Sequence, residues 1–321
     1  MIALAMMNAQ HTVSNFILTL TALIWGLAFV AQRVGMEFIG PMLFNGLRFS
    51  LGLLTLLPLY WVGRMRRSRQ PAAAAGATNS PRSVWFWGIT AGLALFAGST
   101  FQQIGIVYTT AGNAGFITGL YIILVPIMGI GMGSRTGPLT WAAAGTALIG
   151  LYLISVKGGY LLALGDLLVF FSAFFWALHV HIIGFAASRF DVLMLSIIQY
   201  GVTALLSLAG GLLLEPVNFE AILNAGPAIV YGGVMSVGVA YTLQIVGQKG
   251  AHPAHAAIIL SLEGAFAALG GWLILGETLS PRQMLGAGLM LGAMLAVQLA
   301  QLLKSPGVNP RRNNAPHPDG R

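Results

Sequence analysis

Of 321 residues, 57% are hydrophobic and 7% charged, far below the roughly 25% charged residues of a soluble domain. A polar outer surface is therefore excluded. There is no cysteine, which removes disulfides, thiol catalysis and thiolate metal sites. The formal net charge is +8, but the basic residues flank apolar segments, so they read as membrane orientation rather than nucleic-acid contact.

In chain order, residues 1–13 carry no Lys or Arg and form an N-terminal tail. The apolar run from Ser14 to Val34 is long enough to span a bilayer and reads as an anchor that stays in place. Further spans are expected near 41–62, 84–106, 112–132, 138–156, 162–186, 192–214, 226–247, 254–275 and 283–303. The fold class is an all-α polytopic membrane protein with ten transmembrane helices. Residues 14–156 make a first five-helix repeat and 157–303 a second. Residues 304–321 are rich in Pro, Asn and Arg and are expected to be a disordered basic tail.

The repeat is marked by Leu23-Ile24-Trp25-Gly26 and Phe174-Phe175-Trp176-Ala177. Five spans per half place the second half upside down relative to the first. With the N-terminus in the cytoplasm, twelve basic residues lie inside: Arg64, Arg66, Arg67, Arg69, Arg82, Arg135, Arg189, Lys249 and four in the tail. Only Arg33, Lys157 and Arg282 lie outside. This bias puts both termini in the cytoplasm of a cytoplasmic (inner) membrane. The arginine-rich loop 63–83 corresponds to an acidic loop with Glu215 and Glu220, as inversion requires. The repeat offset is 151 at Trp25/Trp176 and 141 at Gly145/Gly286, which places an insert at Pro71–Ser80.

These motifs resemble the drug/metabolite transporter superfamily, in its two-repeat EamA-type branch. The resemblance is carried by the first Trp motif, Gly46-Leu47-Arg48-Phe49, Ala114 to Tyr121 followed by Val125-Pro126, Leu260-Ser261-Leu262-Glu263-Gly264, and Leu275-Gly276-Glu277-Thr278. It implies two inverted repeats around a central cavity lined by the first, third, fourth, sixth, eighth and ninth helices. It also implies export or exchange of small metabolites, amino acids among them. The first half departs from the pattern with Gly133-Ser134-Arg135-Thr136, and Gly264 stands where proline is frequent.

Ionisable groups at a bilayer centre cost about 2.5–3.5 kcal/mol each, so each needs a partner, water or a role. Glu263 reads as a substrate-amine or proton site, or as a structural pair. Arg48, on a helix outside the expected cavity set, reads as structural, with a substrate-carboxylate role as the alternative. His179 and His181 point to different helix faces at spacing two. His179 shares a face with Trp176, with an interhelical hydrogen bond as the plain alternative. Ser99/Gln103 and Tyr241/Gln244/Gln248 form polar stripes on the third helix of each repeat. Pro126 is expected to kink the fourth helix.

No phosphate-binding Gly-x-x-x-x-Gly-Lys-Ser/Thr loop is present, and Gly165-Asp166 lacks a second membrane aspartate for aspartyl-protease chemistry. The chain reads as a non-enzyme without cofactor or metal. It is expected to be a secondary carrier of small organic solutes, amino acids or similar amphipathic molecules. A passive channel and an inert membrane subunit are the alternatives. The substrate site is expected at Trp25, Gln103, Tyr121, Trp176, His179, Tyr241 and Glu263. Proton coupling would run through Glu263 or His179. The partners are the solute and the lipid bilayer, not nucleic acid, in a monomer or homodimer.

Overall fold

The computed structural model describes residues 2–68, 81–109, 111–155, 164–249, 251–276 and 280–304. Every regular element among them is helical, as the absence of water to satisfy backbone groups dictates. The first half comprises α1 (Ile2–Gly35), α2 (Pro41–Ser68), α3 (Pro81–Tyr108), α4 (Ala111–Gly119), α5 (Tyr121–Gly131) and α6 (Pro138–Ser155). The second comprises α7 (Leu164–Ala186), α8 (Val192–Leu214), the short α9 (Phe219–Asn224), α10 (Gly226–Val230), a π-helical segment (Tyr231–Tyr241), α11 (Thr242–Gln248), α12 (Pro253–Leu260), α13 (Glu263–Leu275) and α14 (Pro281–Lys304). Among the described residues, seven segments are long and apolar enough to cross a membrane.

Helix α1 begins at Ile2, so residues read as a tail continue the first helix. The tail from 305 onward, the Pro71–Ser80 insert, Lys157 and Glu277 lie outside the described residues.

The packing pairs the halves reciprocally. Helix α1 lies on α13, while α7, its counterpart, lies on α4 and α5. Likewise α2 lies on the π segment, and α8 on α3. Like meets like where α2 packs on α8 and α6 on α14. Exchanging the halves maps each contact onto another, so the repeat in sequence is also a repeat in space.

Two close contacts fix this arrangement. A Cβ on Gly26 would lie 2.4 Å from the Phe266 Cβ and 2.8 Å from the Glu263 carbonyl oxygen. Glycine in the Trp-Gly motif thus lets α1 approach the start of α13. At the other end of α13, Gly276 closes the helix in the left-handed conformation, φ 68°. Across the halves, the carboxylate of Glu215 accepts from the backbone N–H groups of Met42 (2.8 Å) and Leu43 (2.7 Å). These are orphan donors at the start of α2, so the acidic loop of one half caps a helix of the other.

The helices expected at 112–132 and 254–275 are each interrupted. Leu120 separates α4 from α5, and Ser261-Leu262 separate α12 from α13. All three residues keep right-handed φ and ψ near −60° and −15°. Tight turns close the breaks, with Leu120 N–H bonded to Ile117 O at 3.1 Å and Leu262 N–H to Ile259 O at 3.2 Å. The kink expected at Pro126 is therefore displaced: Pro126 lies inside α5. The second interruption has no nearby proline, so proline is not their common cause.

Candidate functional site

The two interruptions face each other at the centre of the molecule. Tyr121 opens α5 and Glu263 opens α13, so the repeat brings equivalent positions together. Their side chains are neighbours, with the Tyr121 hydroxyl close to the Glu263 carboxyl. That hydroxyl has no partner in hydrogen-bond geometry among the described residues.

A narrow cavity lies between the halves. Six of the seven residues expected at the site line it: Trp25, Tyr121, Trp176, His179, Tyr241 and Glu263. Tyr241, the last residue of the π segment, is the hub. Its ring centroid is 4.6 Å from that of Trp25 and 6.1 Å from that of Trp176, nearly parallel to the latter at 24°. His179 meets it edge-on at 6.2 Å, and Phe49 and Tyr200 close the far side at 6.0 and 6.3 Å. Offset and edge-to-face contacts of this kind favour a fixed ring geometry.

The paired tryptophans are used differently. The Trp25 indole N–H donates to the Ser236 carbonyl at 3.3 Å. The corresponding N–H of Trp176 is buried with no partner among the described residues. The Trp176 ring rests against Gly98 of α3, where a Cβ would lie 3.2 Å from it.

The two histidines of α7 diverge as their spacing requires. His179 Nε2 pairs with Gln199 Oε1 on α8 at 2.9 Å. His181 Nε2 pairs with the Val125 carbonyl of α5 at 2.8 Å. His255 pairs with Thr140 at 3.2 Å, and the His252 Nδ1 accepts from Ala254 N–H at 3.3 Å to cap α12. Partial burial, with His181 nearby, lowers the His252 pKa from its ordinary value, which suits this acceptor role.

Gln103 does not line the cavity. It is fully buried, and its amide points to the Gln32 carbonyl at 3.5 Å. The adjacent Gln102 does line it and donates to Thr118 Oγ1 at 3.0 Å. Neighbouring residues on a helix differ in direction by about 100°, from 3.6 residues per turn. The Ser99/Gln103 stripe thus joins α3 to its neighbours, with Ser99 O accepting from Asn45 at 3.0 Å. In the second half, Gln244 lines the cavity and donates to Gln248 (2.9 Å), which donates to the Val180 carbonyl (3.0 Å).

Sequence reasoning left out Phe29, Gln32 and Thr118, and gave Arg48 a substrate role only as the alternative; all four line the cavity. The first two continue the face of Trp25 at spacings four and seven, and Thr118 precedes Tyr121 by three. Those spacings were a usable signal. Arg48 had no such signal, because its helix reaches the cavity through one long side chain. The Arg48 Nε donates to Asn45 Oδ1 at 2.9 Å, and the guanidinium lies 5.1 Å from the Phe49 ring centroid and 5.7 Å from that of Phe44.

Chemically, the cavity offers one cation, one carboxyl group, aromatic faces and several uncommitted polar atoms. Gln32 Oε1, Trp176 Nε1 and Gln244 Oε1 are all buried without a partner among the described residues. Such atoms are costly unless something meets them. The arrangement fits reversible binding of an amphipathic solute.

Comparison with known proteins agrees with this architecture. The model of the EamA-like transporter family matches residues 13–156 and again 163–298. An uncharacterized transporter of Archaeoglobus fulgidus is 31% identical over 291 residues, covering 88% of this chain and 84% of the relative. A second uncharacterized transporter of that organism is 26% identical over 175 residues, covering 53% and 57%. One crystal structure superposes with a TM-score of 0.71 at 22% identity, over 91% of this chain and 98% of that one, which establishes likeness of fold. The chain is a multi-pass membrane transporter and belongs to the EamA-like transporter family, within the drug/metabolite transporter superfamily.

Proposed function

We propose that the protein is a secondary carrier that moves a small organic solute by alternating access. In this reading ten helices form two inverted five-helix repeats, with both termini in the cytoplasm of the inner membrane. The solute sits near the midplane between the repeats, and the transport direction is outward. Amino acids or similar amphipathic metabolites are the solute class that fits a site combining aromatic faces with opposite charges.

One observation carries the reading. The cavity is lined by both halves at the point where two helices are interrupted. Interrupted helices at a repeat interface are where carriers of this kind place their solute site, and rocking one repeat against the other would expose side chains such as Tyr121 and Glu263 alternately. Glu263 is the preferred proton-coupling residue. His179 is engaged by Gln199, whereas the Glu263 carboxyl lines the cavity with the Tyr121 hydroxyl close to it.

Counterflow in proteoliposomes tests the proposal. Vesicles preloaded with a solute should transiently accumulate its labelled form, with saturation. Non-saturating flux without counterflow would support a channel instead. Glu263→Gln should remove the pH dependence of net transport while leaving exchange measurable; unchanged pH dependence would end the coupling assignment.

A further inference from the structure

Arg48 is a deeply buried cation, 2% exposed. Its Nε edge is committed to Asn45. Asn45 is held in turn by its bond to the Ser99 carbonyl of α3. The phenyl rings of Phe44 and Phe49 flank the guanidinium. Its terminal nitrogens have no hydrogen-bond partner among the described residues, and the side chain lines the central cavity.

No described carboxylate pairs with it. Glu263 lines the same cavity, but the one hydrogen bond of the Arg48 side chain among the described residues goes to Asn45. Tyr241 lines the cavity together with both Arg48 and Glu263. The cavity thus holds a cation and a carboxyl group kept apart around an aromatic hub. A structural arginine in a membrane interior is ordinarily neutralised by an acid or by several carbonyls. This one is fixed along one edge and open along the other, the geometry that receives a planar oxyanion through two parallel hydrogen bonds.

We propose that Arg48 seats the carboxylate of the transported solute and is a specificity-determining residue. Asn45 is its positioning residue, holding the Nε edge so that the terminal nitrogens face the cavity. Glu263 then faces the cationic end of a zwitterion whose apolar part lies against Trp25, Trp176 and Tyr241. The inference rests on the reading that this cavity is the transport site.

The test uses the full chain in detergent and three matched sets of probes: the twenty common amino acids, their amides, and the corresponding amines without a carboxylate. Thermal unfolding and tryptophan fluorescence report binding. At least one amino acid should bind the wild type tightly, with its amide and amine at least about tenfold weaker, the loss for one charge-assisted contact. Arg48→Gln should abolish the preference for acid over amide. Arg48→Lys keeps the charge but not the fork, so it should retain a reduced preference; it is the deciding variant if Arg48→Gln fails to fold. Asn45→Ala should weaken acids but not amides. Acid and amide binding equally to the wild type, no carboxylate binding it, or a full acid preference persisting in either Arg48 variant would each overturn the proposal. Counterflow with the same probes separates the two readings. Saturable counterflow indifferent to the carboxylate sinks the Arg48 assignment alone. Acid-selective binding without counterflow sinks the carrier reading alone.

Discussion

The third helix of the first half and its counterpart in the second are built differently. Helix α3 runs unbroken from Pro81 to Tyr108, while the counterpart passes through α10, an eleven-residue π segment and α11. Both give a glutamine to the cavity, Gln102 and Gln244. Only the second gives an aromatic hub, because the wider π turns shift the register that follows and end on Tyr241. Long π stretches are rare and occur at functional sites. The site is therefore asymmetric within a symmetric frame. The hub and the acid come from the second half, and the arginine comes from the first.

Predictions that exchange equivalent residues between the halves test this asymmetry. The largest effect is expected at the opposed interruptions. Glu263→Gln should cut net transport by about tenfold or more, the loss of a charge-assisted contact, with exchange still measurable, while Tyr121→Phe at the equivalent place should cost only a few-fold. Equal losses would mean that position rather than charge matters. Next, Gly26→Ala should destabilise the protein by about 1–3 kcal/mol, because the added methyl overlaps Phe266 and the Glu263 carbonyl. Ala177→Gly, its counterpart, should be much milder in thermal unfolding.

The tryptophans should separate by a smaller margin. Trp176→Phe removes a buried N–H without a partner among the described residues, on a ring that lines the cavity, and should raise the solute KM about three- to tenfold, the worth of one neutral hydrogen bond. Trp25→Phe loses only the contact to Ser236 O, so its KM should stay closer to wild type. The smallest contrast is Gln102→Leu against Gln103→Leu. The first should alter KM, and the second should lower the melting temperature with KM preserved. The reverse outcome would move the cavity face of α3 to Gln103.

Much of this was legible in the residues. The Trp25/Trp176 pair and the order of apolar runs gave the repeat. Isolated ionisable and aromatic residues inside those runs gave six of the residues that line the cavity, because their cost in lipid leaves few reasons to keep them. Gln103 was chosen over Gln102 because a spacing-four stripe identifies a face but not which neighbour that face meets. Arg48 was assigned by its helix, yet a side chain of its length crosses the boundary that helix membership implies. The break at Leu120 escaped because the kink was placed at Pro126, although Gly119 stands directly before the break.

By itself, the sequence determined an all-helical membrane chain of two related halves, since hydropathy, charge bias and repetition are properties of residue order. Tertiary structure alone decided that Tyr121 and Glu263 meet, that Tyr241 becomes a hub and that Arg48 lines the cavity. Those outcomes depend on where helices are interrupted and which faces approach. The proline-free break at Ser261-Leu262 shows that the contact between repeats, more than local propensity, sets both. The paired tryptophans draw the same line: their equivalence is written in the chain, while their different hydrogen bonding arises only when the halves pack.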